Sequence, residues 1–221
     1  MTSETQAIRQ HLERVSELRA ARTGDGRLAR RVAAIKRHQH LRFGHDYAGL
    51  LESPRYGAAT RFFLDDLYGP ADFADRDAQF GRVIPAMARV LPGEVMHTVA
   101  QLAELHALSE GLDQLMAQAL TLDGIDDRSY RAAWQAVGRR DQREAQLGLL
   151  LAIGRALDRH TKSPLLATAL RVMRGPARAA GLAQLQSFLE RGLAAFSAMR
   201  GAQEFLETFQ AICAHEKHAV A

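Results

Sequence analysis

The stretch that decides the fold is Arg55-Tyr-Gly-Ala-Ala-Thr-Arg-Phe-Phe-Leu-Asp-Asp-Leu-Tyr-Gly-Pro70. It holds two of the nine phenylalanines and two of the four tyrosines, so much of the large aromatic surface available for burial lies here. Its apolar residues from Phe62 to Tyr68 recur at helical spacing and cover more than one side of the helix. We therefore predict a buried helix, with Pro54 in its first turn and Gly69-Pro70 as its stop, around which the other helices pack.

Charged residues flank this apolar stretch and suggest a ligand site. Arg61 and Asp65 lie four residues apart on the polar side of the predicted helix, and further charges open the next one. The alternative is that this is a core helix whose acidic edge faces solvent. The charges at the start of the next helix would then form a buried ion-pair network that fixes the geometry of the fold and binds no ligand. The candidate ligand-binding residues are Arg55, Tyr56, Arg61, Asp65, Tyr68, Arg76, Asp77 and Arg82.

Three arginines later in the chain extend this set. Arg171, Arg174 and Arg178 are spaced three and four residues apart across Gly175-Pro176, where the helix over 165–174 is predicted to stop. Arginines near a helix N-terminus can hold a phosphate or a carboxylate, so Arg174 and Arg178 join the candidate ligand-binding residues. The alternative is that these arginines neutralise the acidic middle of the chain.

Several segments resemble one protein family. Phe62-Phe-Leu-Asp-Asp-Leu-Tyr68 resembles the signature of the bacterial FFLEELY-motif proteins, with aspartates in place of the two glutamates. Asp72-Phe73 with Arg76-Asp77, Arg82 and Pro85 is similar to the same family, as is the segment from Met173 to Arg178 that runs on to Phe188-Leu-Glu190. The resemblance extends over most of the chain. It implies membership of this family and no particular activity, cofactor or catalytic residue.

Composition predicts an all-α protein. Ala, Leu, Arg, Glu and Gln dominate the 221 residues, β-branched residues are sparse, and no run alternates in the manner of a strand. We expect a single compact domain of about eight helices over residues 1–221, with 1–22 as a peripheral helix and 214–221 as a frayed tail. Among the expected helices are 27–51, 54–68 and a long one from Glu94 to about Leu120.

The net charge of +4 conceals a segregation along the chain. Residues 1–50 hold ten Arg and Lys against five Asp and Glu, and residues 128–178 hold eleven against three. The middle, residues 51–127, holds five against thirteen. Basic and acidic segments of this kind favour packing with complementary surfaces, and a basic face for nucleic acid is the competing interpretation.

His106 lies at the margin of the apolar face of the long helix over 94–120. The string Leu-Ala-Glu-Leu-His-Ala resembles a haem-ligating helix of the globin kind, which makes His106 a candidate cofactor ligand. The alternative is a histidine at the edge of the core that is satisfied by a hydrogen bond.

The motifs of common enzymes and metal sites are absent from the sequence. It contains no Gly-rich phosphate loop, no G-x-S-x-G elbow, no H-E-x-x-H and no C-x-x-C, and its single cysteine, Cys213, excludes an internal disulfide. The N-terminus lacks a signal-peptide pattern, and the longest apolar run is about half of a membrane span. We therefore expect a cytoplasmic, non-catalytic binding or adaptor protein for an unknown ligand or protein partner. A haem protein that uses His106 and a nucleic-acid-binding protein are the alternatives.

Overall fold

The structure is a computed structural model that describes residues 3–67, 69, 73–121 and 124–220. In these residues every regular element is a helix. The prediction of an all-α fold is confirmed. The α-helices are α1 (Ser3–Thr23), α2 (Gly26–Asp46), α3 (Ala48–Glu52), α4 (Gly57–Arg61), α5 (Ala74–Val90), α6 (Gly93–Ala119), α7 (Asp127–Val137), α8 (Arg140–Thr161), α9 (Pro164–Ala179), α10 (Ala183–Ala198) and α11 (Gln203–Val220). A π-helical segment, Phe62–Leu67, directly follows α4.

The described residues form eleven α-helices, so the prediction of about eight helices is wrong. One reason is that the helix expected over 27–51 is interrupted at Tyr47, which adopts φ −102° and ψ 16° between α2 and α3. The Tyr47 ring is buried with its centroid 4.9 Å from that of Phe209, and its hydroxyl lies 3.2 Å from Cys213 Sγ. The Tyr47 ring is thus anchored in the core at the point where the chain turns between α2 and α3. Helical periodicity in the sequence does not reveal these contacts.

The helix expected over 54–68 is divided as well. Pro54 lies in a turn, and α4 begins only at Gly57. A Cβ atom on Gly57 would lie 2.6 Å from the carbonyl oxygen of Leu51, so this close turn requires glycine. From Phe62 onward the chain adopts the wider π-helical winding, which in proteins occurs frequently at functional sites. Tyr68 lies outside the described residues.

Helix α9 passes through the predicted stop at Gly175-Pro176 and continues to Ala179. Proline removes one hydrogen-bond donor, but its φ fits a helix, so a single proline need not end one. The helix ends where Gly181 adopts a φ of +71° and the Leu182 N–H donates to the Ala177 carbonyl at 2.8 Å. A glycine in the left-handed conformation, followed by an N–H that bonds back to a carbonyl of the last turn, is a common way for a helix to end.

The core forms around α6 and the π-helical segment. Helix α6 packs against α1, α2, α7 and α8, whereas α4 and the π-helical segment pack against α10. Phe62, Phe63 and Leu64 are buried, which confirms the burial that the sequence predicts for them. The ring centroid of Phe62 lies 5.3 Å from that of Phe188, and Phe63 meets Phe209 edge-on at 5.0 Å. Two of the cavities between these packed helices contact Phe63.

Candidate functional site

An apolar cavity of about 130 Å³ lies where the π-helical segment, α5, α6 and α10 meet, and we call it cavity A. Most of its walls are aliphatic and aromatic side chains, and charged groups occupy one side. This combination is typical of small-molecule sites, in which apolar walls supply contact area and a few polar groups orient the ligand. The apolar lining consists of Leu12, Phe63, Leu67, Phe73, Phe80, Met87, Val99, Leu102, Ala103, Leu105, Leu185, Phe188 and Leu189.

The first charged group on this wall is Asp77, near the start of α5. Its Oδ2 accepts a hydrogen bond from Arg19 Nη2 at 2.8 Å and lies 2.9 Å from His106 Nε2, while Arg76 Nε lies 3.6 Å from its Oδ1. Burial raises the pKa of Asp77, but the His106 hydrogen bond and the neighbouring positive charges outweigh it, so the pKa lies below its ordinary value. Asp77 is therefore a carboxylate in the folded protein at neutral pH.

The second charged group is Glu110 on α6. Its carboxylate binds Lys36 Nζ through Oε1 and Arg22 Nη1 through Oε2, the latter at 2.5 Å. Arg22 also donates through Nε to Gln114 Oε1 at 2.9 Å and through Nη2 to the Glu110 carbonyl at 3.0 Å. Burial raises the pKa of Glu110, but the Lys36 and Arg22 contacts outweigh it and lower the value to about 2. Glu110 thus joins α1, α2 and α6 by two ion pairs.

Asp113 lies one helical turn after Glu110 and is buried. Its Oδ1 accepts a hydrogen bond from Gln39 Nε2 at 3.1 Å. Burial raises the pKa of Asp113 to about 6, because the positive charge of Lys36 only partly compensates for the loss of water. Asp113 contacts the second cavity as well as cavity A.

The structure brings three of the sequence-predicted residues together at cavity A: Arg76, Asp77 and His106. The Arg76 guanidinium lies between two rings, with Cζ 4.0 Å from the centroid of Phe73 and 4.6 Å from that of Phe188. Its Nη1 donates to the Asp66 carbonyl at 2.6 Å. These contacts hold the cation at the edge of the cavity.

Arg55 and Tyr56 lie apart from cavity A, at the junction of α10 and α11. Arg55 Nε donates to the Met199 carbonyl at 2.7 Å, and its Nη1 lies 3.1 Å from Glu204 Oε2. The Tyr56 hydroxyl donates to the same oxygen of Glu204 at 2.5 Å. Both residues therefore tie the start of α11 to the turn before α4.

The other candidate residues lie in separate places. Arg61 donates to the Leu51 carbonyl at 3.1 Å, and Asp65 lies 3.8 Å from His40 Nε2, so each has its own partner. Arg174 makes two 2.9 Å hydrogen bonds to Glu190, so it pairs within the C-terminal segment and not with the acidic middle. Exposed positions on α5 and α9 carry Arg82 and Arg178.

Sequence reasoning missed Lys36, Glu110 and Asp113. Glu110 and Asp113 are spaced three residues apart in α6, which places both on one face of that helix. That spacing was the available signal, since carboxyl groups on a buried face require partners. Their partners on α1 and α2 are 74 to 88 residues away, and no pattern in the sequence names them.

Haem fits this site poorly. The ring nitrogen of His106 that points to Asp77 is already engaged, as in the alternative interpretation of a histidine satisfied by a hydrogen bond. The volume of cavity A is close to that of the roughly 150 Å³ cavity that holds benzene in another protein, far below a porphyrin. Within the described ranges, no group of three or more His, Cys, Asp or Glu residues is placed to hold a metal ion.

No helix in the described ranges combines the length and the apolarity needed to cross a bilayer.

Comparison with known proteins identifies a family. No curated protein and no solved structure matches the chain. A family model matches residues 18–220, which is nearly the whole sequence. The chain therefore belongs to the family described as Domain of unknown function (DUF8198).

Proposed function

We propose that the protein is a non-catalytic binding protein that takes a small amphipathic molecule, with an apolar body and one anionic group, into cavity A. The observation that carries this proposal is the pairing of an apolar cavity with a charged wall built from α1, α2, α5 and α6. A cytoplasmic location and the relationship to the bacterial FFLEELY-motif proteins belong to the same proposal.

The apolar body follows from the lining and the volume of cavity A. A cavity of about 130 Å³ lined by leucine, valine, methionine and phenylalanine accommodates a group comparable to benzene or a short alkyl chain. Burial of such a group contributes about 25 cal/mol for each Å² of apolar surface removed from water. The π-helical segment contributes Phe63 and Leu67 to this wall, which gives its irregular winding a functional explanation.

The anionic group follows from the charges around the wall. Lys36 and Arg76 line the cavity, and Arg19 and Arg22 lie directly behind it, so four cations face the three carboxyl groups of Asp77, Glu110 and Asp113. Nη2 of Arg76 donates no hydrogen bond within the described part of the chain. A carboxylate placed there would gain a charge-assisted hydrogen bond and compensate the excess of positive charge.

The nucleic-acid alternative has less support. Several arginines of the basic segments bind carboxylates of this same chain, among them Arg19 with Asp77 and Arg22 with Glu110. The positive charge of the N-terminal segment is thus partly neutralised by the acidic middle. A face for nucleic acid needs a row of solvent-exposed arginines whose charge is not paired, and in the exposed row Arg171, Arg174 and Arg178 of α9 the middle arginine is bound to Glu190.

Hexanoate and 1-hexanol are suitable probes, because they share an alkyl chain and differ in charge. Hexanoate should bind the full-length protein saturably in isothermal titration calorimetry and raise its melting temperature, and hexanol should bind more weakly. Native mass spectrometry of the freshly purified protein should show a small bound molecule that denaturation releases. Equal binding of hexanoate and hexanol, or no saturable binding of hexanoate, would contradict the proposal.

Matched variants locate the site. Arg76→Gln should weaken hexanoate binding about tenfold, the value of one charge-assisted hydrogen bond, and should leave hexanol binding nearly unchanged. Arg82→Gln on the same helix is the control, since Arg82 is exposed and does not line the cavity. Ala103→Phe, which fills cavity A, should abolish the binding of both probes. If Arg76→Gln and Arg82→Gln bind hexanoate equally, the anionic group does not lie at Arg76.

A further inference from the structure

We propose that the ligand of cavity A carries a hydroxyl group at the end opposite its carboxylate, and that Asp113 binds this hydroxyl. The ligand is then a short ω-hydroxy carboxylic acid. Since its carboxylate is taken to lie at Arg76, this proposal rests on the proposed function, and it adds a second point of recognition to the same cavity.

Asp113 is a buried acid with an oxygen that lacks a hydrogen-bond donor. Only 7 % of its surface is exposed, and it lines cavity A. Its Oδ1 accepts a hydrogen bond from Gln39 Nε2 at 3.1 Å, whereas Oδ2 accepts none from the residues that the structure describes. A carboxylate has lone pairs for about four hydrogen bonds, and a buried acceptor without a donor lowers stability. A donor on a molecule in cavity A can meet this need.

The Asp113 carboxyl group acts as an acceptor at neutral pH. Burial raises its pKa to about 6, which leaves the group mostly ionised at pH 7. A hydroxyl that donates to an ionised carboxylate forms a charge-assisted hydrogen bond, which is stronger than one between two neutral groups. The exchange of water for such a donor therefore favours binding.

Ser109 supplies the second half of a site for a hydroxyl group. It precedes Asp113 by four residues on α6, which places both on one face of the helix, and it also lines cavity A. Its Oγ accepts a hydrogen bond from Gln146 Nε2 at 2.8 Å, and its own proton is donated to no group in the described part of the chain. Since a hydroxyl both donates and accepts, the ligand can donate to Asp113 and accept from Ser109.

The charges around Asp113 favour a neutral hydroxyl over an ammonium group. Lys36 and Arg22 carry two positive charges beside the carboxylates of Glu110 and Asp113, so this end of the cavity is balanced when Asp113 is ionised. An ammonium group would add a third cation, and it has no lone pair with which to accept from Ser109. A hydroxyl leaves the charge balance unchanged.

The two points of recognition lie at different ends of cavity A. Arg76 Nε is 3.6 Å from Asp77, and Asp77 contacts His106, so the Arg76 end of the cavity lies beside His106. Asp113 follows His106 by seven residues on α6, which is about 10 Å along the helix axis. A ligand that reaches both points is therefore extended, with polar ends and an apolar middle against the aliphatic and aromatic walls.

Comparison of 6-hydroxyhexanoate with hexanoate tests the proposal on the full-length protein. These probes share a carboxylate and a chain length and differ in the terminal hydroxyl. In isothermal titration calorimetry, 6-hydroxyhexanoate should bind about tenfold more tightly, the value of one charge-assisted hydrogen bond. A hydroxyl that met only apolar side chains would lose its hydration and bind more weakly than hexanoate, so the sign of the difference is decisive. The cationic probe 6-aminohexanoate should bind more weakly than 6-hydroxyhexanoate.

Variants locate the hydroxyl contact, and the ratio of the two affinities is measured within each of them. Asp113→Ala should abolish the preference for 6-hydroxyhexanoate, and Ser109→Ala should reduce it severalfold. Glu104→Gln is the control, since Glu104 is exposed on the same helix and does not line cavity A. Circular dichroism and a cooperative thermal transition establish that each variant folds. If Asp113→Ala does not fold, Ser109→Ala and the comparison of probes on the wild type still decide the outcome.

Three results would overturn the proposal: 6-hydroxyhexanoate binding no more tightly than hexanoate, 6-aminohexanoate binding more tightly than 6-hydroxyhexanoate, or a preference for the hydroxyl that persists in Asp113→Ala. Asp113 also borders the neighbouring cavity, so 6-hydroxyhexanoate binding that survives in Ala103→Phe, with cavity A filled, would overturn it as well.

The two proposals for cavity A fail in different ways. If hexanoate binds saturably and the hydroxyl adds no affinity, water satisfies Asp113 Oδ2, and only the hydroxyl assignment is lost. If neither hexanoate nor 6-hydroxyhexanoate binds, the proposed function itself is contradicted.

Discussion

His106 Nε2 lies 2.9 Å from Asp77 Oδ2, and this contact joins α6 to α5 beside the apolar core. The same carboxylate oxygen accepts a hydrogen bond from Arg19 on α1 at 2.8 Å. One acid therefore links α1 to the consecutive helices α5 and α6. The sequence placed Asp77 in a charged cluster and His106 in a possible cofactor site, and the structure makes them partners at the wall of one cavity.

Replacement of Asp77 should destabilise the fold strongly. Asp77→Ala leaves Arg19, Arg76 and His106 without their shared acceptor, and loss of one partner from a largely buried ion pair costs about 3–5 kcal/mol of unfolding free energy. Urea denaturation measures this change. Asp75→Ala is the control, since Asp75 is exposed in the same first turn of α5 and should cost below about 1 kcal/mol. Similar losses for both variants would show that the Asp77 network contributes little.

Glu110 should be equally important for stability. Glu110→Gln removes the charge that Lys36 and Arg22 share, so we expect a loss of about 3 kcal/mol in urea denaturation at pH 7. Glu104→Gln, an exposed position on the same helix, should change stability by about 0.5 kcal/mol or less.

The Glu110 contribution should also depend on pH. Its pKa is lower in the folded protein, so the stabilisation is complete above the ordinary value of 4.5 and is lost as the pH falls towards about 2. The difference between wild type and Glu110→Gln should shrink over that interval. A difference that stays constant from pH 7 to pH 3 would contradict this assignment.

Asp113 should have the opposite dependence. Its pKa is raised from 3.8 to about 6 in the folded state, so its contribution to stability is complete below 3.8 and is lost as the pH rises through 6. The rise of the Asp113 pKa from 3.8 to about 6 corresponds to roughly 3 kcal/mol. The Asp113→Asn variant lacks this penalty, so its stability relative to the wild type should improve by about that amount between pH 4 and pH 8. Urea denaturation at both pH values tests this, and a pH-independent difference would be evidence against a raised pKa.

Glycine at position 192 should be necessary for the packing of α10 on Phe62. A Cβ atom there would lie 2.7 Å from Phe62 Cζ, and this ring is held against Phe188 in the core. We expect Gly192→Ala to lower the melting temperature through overpacking that costs about 1–3 kcal/mol, and Phe62→Leu in the same chain to recover part of the loss. Gly148→Ala, on an exposed part of α8 with open space at its Cβ, should instead stabilise the protein by about 0.5–1 kcal/mol. Destabilisation by both alanines to the same extent would contradict the close contact with Phe62.

The sequence predicted those features whose causes are local. Burial of Phe62 to Leu64 follows from their number and spacing on one short element. The all-helical class follows from composition in the same way. At Tyr47 the local signals failed at the site of a distant contact: the chain turns there within the predicted second helix, and the buried Tyr47 ring packs against Phe209.

The candidate site likewise combines features with local causes and features that depend on distant contacts. By itself, the sequence determined that charged residues cluster near Arg76 and Asp77. Only the tertiary structure decided that Arg22 meets Glu110 across 88 residues and that Gln39 meets Asp113 across 74. The helical period of 3.6 residues fixes which side of a helix a residue occupies. The partner of a charged group depends instead on which helices approach each other, and that is set by burial of the whole apolar surface at once.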